Sequence, residues 1–291
     1  MTAILLDGVA TAAEIRANLA KKVDVLASTT GVQPGLGSIL VGDDPASATY
    51  INAKHKACVE AGILSVHEHL DPSTTQGELH SVIEGMNRNS AIDAILVQLP
   101  LPKQLDEEKA LLAVDPDKDV DGLHPVNLGR LVMGTKGPLP CTPAGIQALL
   151  AAYDVPIEGK HVVVVGRGLT IGRPLALLLA LKSKHANAAV TVVHTGVPNM
   201  ADYVRMADVV VAAAGSPGII TADMIKPGAA VVGGGITREG KRILSDVDES
   251  VAEVAGWVTP RIGGVGPMTI AMLLQNTVAA AERRAGSVRP L

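Results

Sequence analysis

The chain has 291 residues, enough to bury a large core and to favour two domains. Its formal net charge of −4 argues against a general nucleic-acid or membrane-surface binder, and one Trp, three Tyr and no Phe leave no base-stacking platform. Cys58 and Cys141 lack metal-ligand spacing, no uncharged apolar run is long enough to cross a bilayer, and MTAILLDGVATAAEI has no basic stretch before its apolar residues, so a reduced, cytoplasmic setting is expected.

Helix and strand alternate along the chain, which implies parallel sheets. A short apolar stretch opens residues 4–26 and becomes a helix. Residues 37–42 form a strand, 46–61 a helix closed by Gly62, and 64–70 a second strand. A helix over 74–87 and a strand over 91–97 follow. Pro100 and Pro102 end that strand, because proline cannot donate to a ladder. After a helix over 104–113, residues 115–145 read as a long loop of the kind that is functional or disordered. Thr142 as N-cap and Pro143 at the first position then start a new helix. Strands are expected near 161–165, 190–194, 208–213 and 230–233, then a glycine loop over 259–269 and a last helix over 268–283. His67 and His69 alternate on the second strand; without a third ligand nearby they read as surface residues.

Residues 161–174, HVVVVGRGLTIGRP, are the most telling stretch. A β-branched strand runs into Gly166, Gly168 and Gly172, and Pro174 opens a helix. Strand, glycine turn and helix present bare N–H groups and a helix N-terminus to a pyrophosphate. The glycine spacing is one residue longer than the usual fingerprint, and a tight turn with no ligand is the alternative. The next strand ends at His194-Thr195-Gly196, with no carboxylate for a ribose hydroxyl. Arg167 and Thr195 instead suit a 2′-phosphate, which favours NADP over NAD.

Tyr50 and Lys54 are four apart on an expected helix and share one face, as a surface pair or a catalytic one. They precede the nucleotide turn, the reverse of the order in short-chain dehydrogenases. Gln98 stands at the C-terminal end of a parallel strand, where open α/β sheets bind ligands. Asp121 closes a run of carboxylates at 115, 117, 119 and 121 that lacks the EF-hand pattern and is otherwise a solvated acidic loop.

Taken together, Ser47-x-x-Tyr50-x-x-x-Lys54, Gln98-Leu-Pro-Leu-Pro102, Asp115-Pro-Asp-Lys-Asp-Val-Asp-Gly122 with His124-Pro125, Pro140-Cys-Thr-Pro143 and Gly263-Gly-Val-Gly-Pro-Met-Thr269 resemble the FolD family. Its members are bifunctional methylenetetrahydrofolate dehydrogenases and methenyltetrahydrofolate cyclohydrolases. The resemblance runs nearly end to end. It implies an α/β fold of two domains with a cleft between them: a folate-binding, catalytic lobe over 1–141, completed by a C-terminal helix over 268–284, and a Rossmann-like NADP domain over 142–267. It also implies a homodimer acting on tetrahydrofolate derivatives, with no nucleic acid, membrane or metal involved.

By matching positions, Lys54 would be catalytic, with Gln98 assisting it, Tyr50 packing on the aminobenzoyl ring and Asp121 gripping the pterin. Ser47, Leu99, Gly263, Gly264 and Pro267 would complete the folate site. Gly166, Arg167, Gly168, Thr195 and Ile236 would line the NADP site. Hydride loss from the methylene carbon needs alignment more than a base. The hydrolytic step must move a proton, and a partly desolvated lysine with a lowered pKa could shuttle it. Gly233 stands where the family usually has Asp, Ile262 where proline is common, and Gly168 where many members have serine. A shikimate-dehydrogenase-like NADP oxidoreductase and a non-catalytic folate or nucleotide binder are the competing readings. The first lacks an Asn-Arg-Thr-type clamp here, and Lys54 argues against the second.

Overall fold

The computed structural model describes residues 3–240 and 242–287. In chain order its elements are β1 (Ile4–Leu5), α1 (Gly8–Thr30), β2 (Gly35–Val41), α2 (Pro45–Glu60), β3 (Leu64–Leu70), α3 (Gln76–Arg88), β4 (Ala94–Val97), α4 (Glu107–Ala113), α5 (Pro125–Met133), α6 (Cys141–Ala152), β5 (His161–Val165), α7 (Gly172–Ala180), β6 (Ala189–Val193), α8 (Met200–Arg205), β7 (Val209–Ala212), β8 (Ala230–Gly233), β9 (Ile236–Glu239), β10 (Arg242–Ser245), β11 (Trp257–Val258) and α9 (Val265–Ser287). None of the helices among the described residues is long and apolar enough to cross a membrane.

The chain divides into two compact units. One comprises the chain through Ala13, Leu131–Gly134 and Pro140–Met272; the other comprises Glu14–Arg130, Thr135–Leu139 and the chain from Leu273 onward. The expected boundary at 141/142 is therefore crossed at the N-terminus. Strand β1 pairs in parallel with β11, Ile4 opposite Trp257, so the opening residues belong with the C-terminal sheet. The division within the last helix falls at 272/273 rather than before 268.

Within the first unit, the described strands form a six-stranded sheet in the order β1-β11-β8-β7-β5-β6, with every neighbouring pair parallel. Its strands read HVVVV, VVVA and AVVG because parallel strands buried on both faces need aliphatic, β-branched residues throughout. Val163, Val165, Val210, Val231 and Ile220 build its core. The β9–β10 hairpin is antiparallel and was not expected from the sequence.

The second unit carries a parallel three-stranded sheet, β3-β2-β4. Ile39, Leu79, Ile83, Ile95 and Val97 form its core. Thr75 caps α3 through a reciprocal capping box with Glu78, which fixes the start of the helix. Asp93, at the foot of β4, accepts from the Gly35 amide at 2.9 Å and takes a two-pronged contact from Arg284 of α9, at 2.6 and 3.0 Å.

The stretch 115–145 is not one long loop. It holds α5, whose Gly129 and Asn127 hide a helical apolar stripe. The helix after it starts at Cys141 with Pro140 as N-cap and no side-chain cap. Thr142 lies inside its first turn, and its hydroxyl meets that of Thr269 at 3.1 Å instead.

Candidate active site

In the three-stranded unit, α2 sets two candidate side chains. Asp44 caps it by accepting from the Ser47 amide at 2.8 Å, and Pro45 occupies the first turn. Tyr50 and Lys54 then stack one turn apart, with the Lys54 ammonium 5.9 Å from the Tyr50 ring centroid, within range of a cation–π contact. Lys54 is only 6% exposed, so the pair is not surface decoration. A buried ammonium needs a partner, and Nζ donates to Gln98 Oε1 at 3.0 Å. Gln98 follows β4 directly. Its backbone amide donates to the Ile39 carbonyl, and its Nε2 donates to the Leu99 carbonyl at 2.6 Å, which leaves Oε1 turned to the lysine. Ser47 is buried on the same helix. One turn beyond Lys54 lies Cys58, whose thiol burial pushes up to about 12 against the lowering pull of the Lys54 charge; it is an inert core residue.

The acidic run is not a solvated loop. Residues 118–120 continue alongside β4: Ile95 donates to the Lys118 carbonyl, and the Val120 amide donates back to the Ile95 carbonyl. Lys118 Nζ donates to the carbonyls of Met86, Asn87 and Asn89, satisfying the C-terminal end of α3. Asp119, 6% exposed, accepts from the Gly122 and His124 amides at 3.1 and 2.9 Å and from Asn127 Nδ2 at 2.9 Å. Asn276 of α9 donates to the Val120 carbonyl. The residue between these anchors is Asp121. By surface area it is only partly buried, yet desolvation pushes its carboxyl above the usual range; the Lys54 charge draws it down and the Asp119 charge pushes it up. Asp121 and Lys54 thus share one electrostatic environment.

The structure brings together Lys54, Gln98 and Asp121, all singled out in the sequence; Lys118, Asp119 and Asn127, which hold the loop, were not. In sequence, Asp119 is indistinguishable from Asp117; only the fold buries one of them.

In the six-stranded unit, the glycine turn follows β5. Gly166 has φ +127°, and a Cβ there would collide with the Ala213 carbonyl, while one on Gly172 would collide with the Gly166 carbonyl. Bare backbone is obligatory at both positions. Gly168 faces open space, so glycine is not sterically required there. Arg173 Nε braces the turn through the Arg167 carbonyl at 2.8 Å. Helix α7 starts with no side-chain cap and no acidic residue in its first turn, which leaves its positive end for an anion. Arg167 and, beyond β6, Thr195 are exposed, and Ile236 is 44% exposed at the start of β9. The turn, its uncapped helix and Arg167 fit a dinucleotide phosphate.

Gly263 (φ +87°) and Gly264 also belong to this unit, with Gly264 pressed against Thr259 and Pro260, and Pro267 lies in the first turn of α9. At Gly233 the amide donates to Thr259 Oγ1 at 2.8 Å, and a Cβ would approach Ser245 Oγ to 2.8 Å. The serine hydroxyl takes the space a side chain at 233 would need.

Comparison with known proteins agrees with this geometry. Residues 6–121 match the catalytic domain of tetrahydrofolate dehydrogenase/cyclohydrolase, and residues 140–285 match its NAD(P)-binding domain. The bifunctional protein FolD of Syntrophotalea carbinolica is 56% identical over 285 residues, 98% of each chain. The crystal structure of the bifunctional enzyme FolD from Campylobacter jejuni superposes with a TM-score of 0.92 at 44% identity, covering 96% of this chain and 99% of that one. The Trypanosoma brucei methylenetetrahydrofolate dehydrogenase-cyclohydrolase, solved with NADP cofactor and inhibitor, gives a TM-score of 0.93 at 39% identity over all of both chains.

Proposed function

We infer that this chain, which belongs to the tetrahydrofolate dehydrogenase/cyclohydrolase family, is a bifunctional one-carbon folate enzyme. It oxidises 5,10-methylenetetrahydrofolate to the methenyl form with NADP, then hydrolyses that product to 10-formyltetrahydrofolate. The observation that carries this reading is the buried Lys54 held by Gln98 in the same environment as Asp121.

In this reading Asp121 accepts the adjacent ring N–H and amino group of the pterin, a charge-assisted pair of bonds. Tyr50 and Leu99 flank the rest of the folate, with Ser47 on the same helix as Tyr50. Lys54 moves the proton: water adds to the methenyl carbon and the lysine takes its first proton; as the ring carbon–nitrogen bond opens and the hydroxyl loses its proton to become the formyl oxygen, the released nitrogen takes up one of these two protons and the other leaves to solvent. Gln98 orients the amine without adding charge. Gly166, Gly168 and the start of α7 would hold the NADP pyrophosphate, Arg167 and Thr195 the 2′-phosphate, and Ile236 the nicotinamide end. NADP supplies the acceptor for the hydride leaving the methylene carbon.

Burial of Cys58 and Cys141 and the net charge of −4 support a cytoplasmic enzyme acting on free folates without nucleic acid or membrane. The family resemblance supports a homodimer, which light scattering on the purified protein tests. The catalytic reading is tested by supplying methylenetetrahydrofolate and NADP and following NADPH, then supplying methenyltetrahydrofolate alone and following its loss. Turnover in both assays is expected. Folate binding without either turnover would favour a mere binder, and NADP reduction only with other substrates a different oxidoreductase.

A further inference from the structure

Asp246 is fully buried, yet its Oδ1 has no hydrogen-bond partner among the described residues. A buried carboxylate kept at that cost has work to do through its other atoms. Its Oδ2 accepts from two consecutive backbone amides, Ala214 at 2.7 Å and Gly215 at 2.9 Å. Its own amide donates to the Gly235 carbonyl, and its carbonyl accepts from Ile220. A Cβ on Gly235 would run into the carboxylate, so that glycine is the space in which the carboxylate sits.

The segments Asp246 joins are those nearest the glycine turn. The loop after β7 starts at Ala213, whose amide donates to the Val165 carbonyl at the end of β5 and whose carbonyl blocks any side chain on Gly166. The segment after β8 is clamped to the same place: Gly234 and Gly235 both donate to the Ala212 carbonyl, and Thr237 donates to the Gly215 carbonyl. Ile236, assigned above to the cofactor, sits between Gly235 and Thr237. Asp246 thus ties down two of the loops at the carboxyl ends of parallel strands, where a doubly wound sheet binds its ligand: the 214–215 loop through its carboxylate and the Gly235 segment through its backbone amide.

We propose that Asp246 is a positioning residue of the NADP site: it holds the 214–215 amides and the 235–237 segment in the conformation that receives the nucleotide, without touching it. The inference rests on the nucleotide reading given above. It separates Asp246 from a merely structural core residue, because its removal falls on nucleotide affinity before global stability.

The test uses the full chain. NADP affinity is measured by calorimetry, together with the thermal midpoint and both catalytic rates, for wild type, Asp246→Ala and Asp246→Asn. Loss of both acceptor bonds in Asp246→Ala frees the 214–215 amides and should weaken NADP binding by about tenfold or more, about 1.4 kcal/mol. Oxidation should suffer mainly in the KM for NADP, and more than hydrolysis. Asp246→Asn, which keeps one carbonyl oxygen for the two amides, should recover most of the lost affinity. If Asp246→Ala binds NADP within twofold of wild type, or if both reactions decline in parallel with the thermal midpoint, the positioning role is overturned. Should Asp246→Ala not fold, an Asp246→Asn variant that loses stability while keeping wild-type NADP affinity and KM overturns it equally. Wild-type protein that fails to bind NADP at all would bring down the nucleotide reading itself, a result distinct from these.

Discussion

Replacing Lys54 by methionine isolates the proton-transfer role. The side chain is 6% exposed and its ammonium is bonded to Gln98 Oε1 at 3.0 Å. Methionine fills similar volume, so packing is kept while the proton carrier is lost. Positioned acid–base groups contribute on the order of 10²–10⁴ in rate, or about 3–5 kcal/mol of barrier. Hydrolysis of methenyltetrahydrofolate should fall by that factor. Stability should change little, because leaving Gln98 Oε1 without this donor costs about 1–3 kcal/mol while a buried charge is removed. Folate affinity should stay within roughly tenfold, about 1.4 kcal/mol. A second signature comes from Asp121. The Lys54 charge draws that carboxyl down against desolvation, so its loss moves the acid limb of folate binding to higher pH. The assay is the loss of methenyltetrahydrofolate under single-turnover conditions, beside equilibrium folate binding across pH. Hydrolysis within tenfold of wild type, or equal losses in hydrolysis and affinity, would refute the assignment.

Other expectations follow from the same geometry. Because burial raises the Asp121 carboxyl, the acid limb of kcat/KM in wild type should lie above the ordinary aspartate value of 3.8. The folded state binds that proton more readily than the unfolded one, so this group detracts from stability as pH rises past its unfolded value. Asp121→Asn should remove that destabilisation at neutral pH yet weaken folate binding by about 10–100-fold; denaturation midpoints and folate titrations together check both signs. Gly166→Ala, at φ +127° against the Ala213 carbonyl, should lose at least about 1–3 kcal/mol of stability or distort the turn, whereas Gly168→Ala should stay within about 0.5 kcal/mol; urea melts separate them. Gly233→Asp should destabilise alone, because its Cβ would lie 2.8 Å from Ser245 Oγ, and Ser245→Gly should relieve it. A coupling under about 0.5 kcal/mol in that double-mutant cycle would show the two positions to be independent.

How far the sequence could be read depended on whether the deciding force was local. Strands 161–165 and 230–233 were legible to the residue because β-branched runs permit little else, and 64–70 because Gly62 and Pro72 bracket it. The glycine turn was legible because strand, glycines and helix are contiguous. Helix α5 was not, since His-Pro, Asn127 and Gly129 are all loop signals and its apolar stripe is short. The placement of β1 was not, because its partner lies some 250 residues away and a two-residue strand carries no pattern. Lys54, Gln98 and Asp121 emerged from motif order rather than from periodicity. Asp119 and Asp246 could not emerge at all: an aspartate's burial and its backbone partners exist only after the chain has closed around it.

The contacts of the last helix carry a consequence for biosynthesis. Arg284 grips Asp93 and the Gln33 carbonyl, Arg283 reaches the Asp117 carbonyl, and Asn276 secures the Val120 carbonyl beside Asp121. On a translating ribosome, Lys54 and Asp121 emerge well before the helix that braces the Asp121 loop. The nascent chain would then wait with that loop unfastened while the bulk of the six-stranded unit, Pro140–Met272, is threaded out between two parts of the other.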